Sequence, residues 1–306
     1  MFQAKHNHLM MRFGKLLVFE EEREQFMSEV NSSNCNQACE GCAASCADRK
    51  APQDLKIKLH PRSSVKHVIG IVSGKGGVGK SFVSSLLASE LQRRGNRTAV
   101  LDGDITGPSM ARVFGITDKM YGDGELAYPA VTKSGIQVVS ANMMLDSDDQ
   151  PVIWRGPIVG GVIRQFYQEV FWDDVDYMVV DMPPGTSDVP LTVFQSLPVE
   201  GIIVVSSPQE LVGMVVEKAI NMANMMNIPL LGLVENMSYV ECGECGHQIK
   251  IFGESHIDET ADKYGIPVLA RIPLREGYAE AGDHGEIETL IVPEISAVAD
   301  IVTKAA

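Results

Sequence analysis

The stretch SGKGGVGKS at residues 73–81 decides the fold. It satisfies the pattern G-x4-G-K-[S/T] through Gly74, Gly79, Lys80 and Ser81. The apolar run HVIGIV at 67–72 leads into it. Residues 81–94 follow, with Val83, Leu87 and Leu91 at helical spacing, Leu86 beside them and Gly95 as the stop. A strand therefore enters the glycine-rich turn and a helix leaves it. Gly74, Gly76, Gly77 and Gly79, with Lys75 and Val78 among them, let successive backbone N–H groups turn inward around phosphate oxygens. The helix N-terminus adds partial positive charge. Lys80 is placed to reach the β- and γ-phosphates, and the Ser81 hydroxyl to ligate Mg2+.

Outward from this loop, short apolar runs alternate with amphipathic stretches. Strands are expected at 68–72, 98–101, 136–140, 177–180, 202–205, 230–234 and 268–272, and further helices at 158–171, 210–226 and 296–304. Uncharged, β-branched strands alternating with helices predict an α/β fold, a P-loop NTPase three-layer sandwich with a mostly parallel central sheet. This domain is expected to occupy 67–306. Ahead of it, 51–66 reads as a Pro-containing linker and 31–50 as a short Cys-rich N-terminal extension. Residues 1–30 form an arm without clean periodicity. Met27 opens a plausible second start, MSEVNSSNC, so the first 26 residues are either a mis-called start, a dispensable arm or a short packed helix.

The chain has 306 residues, enough for a large buried core. With 26 basic and 40 acidic residues it carries a net charge of −14, which disfavours binding to nucleic acid or to an anionic membrane. We find no long uncharged apolar run and no secretory signal, so the expected location is cytoplasmic.

Two further segments complete the phosphate site. LDGDITGPS at 101–109 puts carboxylates at the C-terminal end of the second strand. Asp104 is expected to position the attacking water and Asp102 to support the metal side, unless these are a helix N-cap and a turn aspartate. YMVVDMPPG at 177–185 is an apolar strand ending in Asp181, which is expected to contact Mg2+ through water. Gly185 has no side chain to obstruct a γ-phosphate, so its segment can sense one. No N-K-x-D or T-K-x-D string reads guanine. Asn236, after the strand at 230–234, is the better base reader through its side-chain amide, which favours ATP over GTP.

The six cysteines fall into two groups. In a reducing compartment such tight spacing points to metal more than to disulfides. Cys242 and Cys245 form C-x2-C in a Gly-rich loop just after Asn236. Two thiolates cannot complete a four-thiolate site, but two chains supply four, so a cluster shared across a dimer axis is one reading and a zinc knuckle the other. Cys35, Cys39, Cys42 and Cys46, spaced 3-2-3, offer four thiolates within one chain for a cluster or zinc, or else an unliganded reactive tail.

Lys75 is not required by the basic loop motif. With it, GKGGVGKS resembles the deviant Walker A loop of dimeric nitrogenase-iron-protein-like ATPases, where the resemblance implies that this lysine crosses to the partner's nucleotide. More closely, the chain from about Lys66 onward resembles the Mrp/ApbC-type P-loop ATPases. The matching strings are GKGGVGKS, LDGDITGPS, VIWRGP at 152–157, VVDMPPGTSD, NMSYVEC with CGEC, and IPLREGYAEAGDHG. The resemblance implies a homodimer, a 4Fe–4S cluster bridging Cys242 and Cys245 of both chains, weak ATPase activity, and transfer of the cluster to apo iron–sulfur client proteins. Arg155 lies in the shared RGP string, and we assign it no physical role beyond a switch or interface contact. The 3-2-3 spacing of the N-terminal cysteines departs from the long-gap pattern of extended family members. The alternatives are a zinc-binding chaperone and a partitioning-type regulatory ATPase. The tail PEISAVADIVTKAA is a poor membrane anchor, with one Lys and two acids.

Overall fold

The computed structural model describes residues 56–105, 107–144, 156–185, 188–209 and 212–305. The expectations for residues 1–50, for Cys35, Cys39, Cys42 and Cys46, and for Arg155 lie outside them.

The chain runs β1 (Val65–Ser73), α1 (Lys80–Arg93), β2 (Thr98–Asp102), α2 (Met110–Val113), β3 (Tyr121–Gly122), β4 (Ala127–Tyr128), β5 (Ala130–Val131) and β6 (Gln137–Val139). It continues with α3 (Gly156–Glu169), β7 (Val175–Asp181), α4 (Asp188–Ser196), β8 (Gly201–Ser206), α5 (Val212–Met225) and β9 (Leu230–Asn236). The last part comprises β10 (Val240–Glu241), β11 (Gln248–Ile249), α6 (Ile257–Tyr264), β12 (Val268–Ile272), α7 (Tyr278–Asp283) and α8 (Pro293–Ala305).

Eight strands form one sheet in the order β12-β9-β8-β1-β7-β2-β6-β5. Every neighbouring pair is parallel except the edge pair β5–β6. The central strands are buried along nearly their whole length, as expected of a parallel sheet covered on both faces. Helix α1 lies across β1, β2, β7 and β8 and meets α8; α3 packs on α4; α5 lies on β1 and β8. The expected α/β sandwich is therefore present. Ile57 and Leu59 pack against the core, and Ser63 Oγ donates to the Val170 carbonyl at 3.0 Å, so the chain ahead of β1 is fastened to the domain.

This topology positions the site. In a parallel sheet all strand C-termini emerge along one edge, where ligand-binding loops collect. The loop after β1, the turn after β2, the turn after β7 and the excursion after β9 all leave from that edge.

Candidate nucleotide pocket and cysteine hairpin

The glycine-rich loop binds itself to its neighbours through backbone and side chain. Gly77 and Gly79 have φ of 82° and 79°, the left-handed conformation that lets the loop wrap before α1 begins at Lys80. Gly79 is needed for a second reason. A Cβ there would lie 2.1 Å from Asn236 Nδ2, which donates to the Val78 carbonyl at 3.0 Å. The end of β9 thus grips the loop directly. On the other side, the Gly185 N–H donates to the Ser73 carbonyl at 2.8 Å, and nothing lies within 4 Å of where a Gly185 side chain would begin.

Below the loop lies a buried ion pair with its hydroxyl partners. Lys80 Nζ is 2.7 Å from Asp181 Oδ2, with the two side chains 6% and 0% exposed. Ser81 Oγ donates to the same oxygen at 2.7 Å, and Ser84 Oγ donates to Asp181 Oδ1 at 2.6 Å. Lys80, Ser81 and Asp181, each expected from sequence, meet at one point. Ser84 was not expected there. Its signal is its position four residues after Lys80, one helical turn along the same face.

Asp102 sits beside Asp181 in strand register. Its Oδ2 accepts from the Ser109 and Met110 N–H groups, both at 3.1 Å, and from Ser140 Oγ at 2.8 Å, while Oδ1 accepts the Asp104 N–H at 3.1 Å. These bonds commit it to the turn and to the start of α2. Asp102 thus accepts backbone N–H groups at the start of α2, whose N-cap position is Ser109. Burial pushes its carboxyl up to about 7, reinforced by the negative charge of Asp181 and opposed by the bonds from Ser140 and Met110. Asp104 is half-buried on the same turn, its carbonyl accepting the Gly107 N–H at 3.1 Å. Lys75, Gly76 and Gly77 are exposed on the outer side of the loop.

The C-x2-C motif forms the tip of a small hairpin. β10 pairs antiparallel with β11, the Cys242 N–H donates to the His247 carbonyl at 2.9 Å, and the Gly246 N–H donates to the Cys242 carbonyl at 2.9 Å. Gly246 closes the turn at φ 69°. Backbone N–H groups of Glu244 and Cys245 point at the Cys242 sulfur and, with the Cys245 thiol, hold the Cys242 thiol below its ordinary value. Both thiols are free, Cys242 half-buried and Cys245 exposed. Among the described residues no three His, Cys, Asp or Glu side chains converge on a possible metal position. One chain thus presents a pair of thiols, with no third ligand beside them among the described residues.

A phosphate-binding loop on a parallel sheet, with its lysine and hydroxyl converging on a carboxylate at the end of a neighbouring strand, defines a P-loop NTPase. The family model for the NUBPL iron-transfer P-loop NTPase (ParA) matches residues 64–306, and the chain belongs to that family. Curated relatives named iron–sulfur cluster carrier protein include one from Clostridium perfringens, 41% identical over 86% of this chain and 93% of its own. Another, from Methanocaldococcus jannaschii, is 43% identical over 83% and 89%. Among solved structures, a nucleotide-binding protein from Archaeoglobus fulgidus in complex with ADP, with cobalt found, is 40% identical with a TM-score of 0.65. It covers 73% of this chain and 88% of its own. The cell-division ATPase MinD of Pyrococcus furiosus shares the fold, at 20% identity and a TM-score of 0.56, over 78% of this chain and 99% of its own. No helix among the described residues is long and apolar enough to cross a membrane.

Proposed function

We propose that this protein is an iron–sulfur cluster carrier that binds and hydrolyses ATP. Its cargo is a labile 4Fe–4S cluster held between the Cys242–Cys245 pairs of two copies and passed to apo client proteins. The observation that carries the reading is the pairing of sites along one sheet edge. A P-loop complete in one chain stands beside a thiol pair that one chain leaves incomplete.

At the first site, bound phosphates compete with Asp181 for Lys80, and the Ser81 hydroxyl and Asp181 would hold Mg2+, which neutralises phosphate charge. Asp104 orients the attacking water. Asn236 reads the adenine edge from its place against Val78. Lys75, exposed on the loop, reaches toward the nucleotide of the partner subunit. At the second site the lowered Cys242 thiol favours the thiolate that iron requires. In transfer, client thiolates form new Fe–S bonds as those to Cys242 and Cys245 break, with no net electron change. A pair of free thiols, one of them exposed, suits a reducing cytoplasm.

Iron and sulfide are to be counted per dimer after anaerobic reconstitution, for wild type, Cys242→Ala and a chain lacking residues 1–50. The reading expects Cys242→Ala to lose the bridging cluster and the truncated chain to keep it. Iron content indifferent to Cys242→Ala would overturn it. A second reading, a zinc site, is favoured by the compact hairpin with Gly246 at its turn, which also suits a tetrahedral thiolate site; colourless protein with stoichiometric zinc would select it.

A further inference from the structure

Glu235, the penultimate residue of β9, is 1% exposed and has no part in phosphate or metal binding as described above. Its two carboxylate oxygens are divided between two serines. Ser238 Oγ donates to Oε2 at 2.5 Å, and Ser255 Oγ donates to Oε1. These serines stand at the two ends of the cysteine excursion. The Ser238 N–H donates to the Ile272 carbonyl at 2.9 Å as the chain leaves the sheet. Ser255 Oγ accepts the Ile257 N–H at 3.2 Å as the chain enters α6. Residues 239–254, with Cys242 and Cys245 at the tip, are therefore closed at their base on one buried carboxylate. Arg271, opposite Glu235 in the β9–β12 register, brings its Nε to 3.8 Å of Oε2, while its Nη2 donates to Asp258 Oδ1 at 2.5 Å.

The next residue along the strand is Asn236, which holds the Val78 carbonyl of the phosphate loop. Successive strand residues project to opposite faces on a common backbone. A shift of the loop at Val78 thus moves the end of β9, and with it the carboxylate that fastens both ends of the hairpin. The two serine hydrogen bonds to one buried side chain tie the hairpin base to Glu235.

We propose that Glu235 is a positioning residue that transmits the nucleotide state of the phosphate loop to the cysteine hairpin by holding both of its ends. The proposal rests on the reading of the two sites given under Proposed function. It supplies the physical link between them.

The test uses the full chain with Cys35→Ser, Cys39→Ser, Cys42→Ser and Cys46→Ser, so that a maleimide reports only on Cys242 and Cys245 in metal-free protein. The alkylation rate is measured with and without Mg-ATP. In this parent a change of about fivefold or more is expected, the lower end of ordinary inter-site coupling. With Glu235→Ala the response falls below about twofold, while a fluorescent ATP analogue still binds. Glu235→Gln, whose amide can bond to both serines, retains the response. If Glu235→Ala does not fold, Ser255→Ala decides, with a response reduced but not abolished. An unreduced response in Glu235→Ala or Ser255→Ala overturns the proposal, as does a parent whose thiols ignore ATP or a Glu235→Gln chain that behaves like alanine. Iron binding by the same parent separates the two ideas. Iron bound by thiols that ignore ATP removes the link and leaves the carrier. Thiols that respond to ATP but bind no iron remove the carrier and leave the link.

Discussion

The phosphate loop and the cysteine hairpin leave the same sheet edge and are built in opposite ways. Beneath the loop, Lys80, Ser81, Ser84 and Asp181 form a buried cluster in which each charge has a partner within one chain. The hairpin is two short strands, an exposed turn and two free thiols, with Ile249, Ile251 and Phe252 also exposed beyond them. The difference teaches where each chemistry is completed. The loop holds its charged groups paired within one chain, whereas the hairpin presents an open pair of thiols, the state expected if, as proposed, two chains share the ligand set. An open thiolate site is also one from which a cluster can be surrendered.

The largest expected effect lies on the buried side. Lys80→Ala should lower ATP turnover by at least about 100-fold, since the charge that faces the transferring phosphoryl group is lost. It should also lower stability by about 3 kcal/mol in urea unfolding, because a buried carboxylate loses its cation. Unchanged turnover would remove the phosphate loop from the mechanism, and the comparison with it.

Asp102 sharpens the contrast through pH. Its folded-state value, about 7, lies above the ordinary 3.8, so between these values the folded chain holds a proton that the unfolded chain has released. Its stabilising contribution is fully present below pH 3.8 and is lost as pH rises toward 7, by up to about 4 kcal/mol. Asp102→Asn stays neutral, so the difference in stability between variant and wild type should widen in favour of the variant over that window. A constant difference would show that Asp102 does not titrate there. A substitution on the exposed hairpin, such as Cys245→Ser, should leave the profile unchanged.

Smaller effects concern the contact between the two regions. Gly79→Ala forces a side chain onto a φ of 79° and into the Asn236 amide, and should destabilise the chain by about 2 kcal/mol while weakening ATP binding. Full retention of both would mean that the β9 grip on Val78 is incidental. Asn236→Ala should reduce the preference for ATP over GTP by roughly tenfold, equivalent to about 1.4 kcal/mol, in competition binding.

Much of this arrangement was legible in the sequence for a physical reason. Long apolar strands such as β1 and β7 and a helix with the period of α1 are specified by local patterning, and the phosphate loop by its glycines. The short elements were not legible. α2 has four residues and α7 six, too few to show a period, and α4 carries Pro190 within an apolar run that suits a strand equally well. Asp104 and Asp102 sit two residues apart on one turn, and only the fold showed that the bonds of Asp102 go to α2 and Ser140. Glu235 was hidden because its partners Ser238 and Ser255 are ordinary residues whose meeting depends on the closure of the hairpin. The incompleteness of the C-x2-C pair was visible by counting thiols, and the described residues add no third ligand.

The central claim is that two chains complete one cluster site. Its most direct test is the native mass of anaerobically reconstituted protein carrying Cys35→Ser, Cys39→Ser, Cys42→Ser and Cys46→Ser. The account predicts a species of two chains with one 4Fe–4S cluster, which disappears with Cys245→Ser. A single chain that carries a complete cluster, or a dimer that binds zinc and no iron, would contradict it.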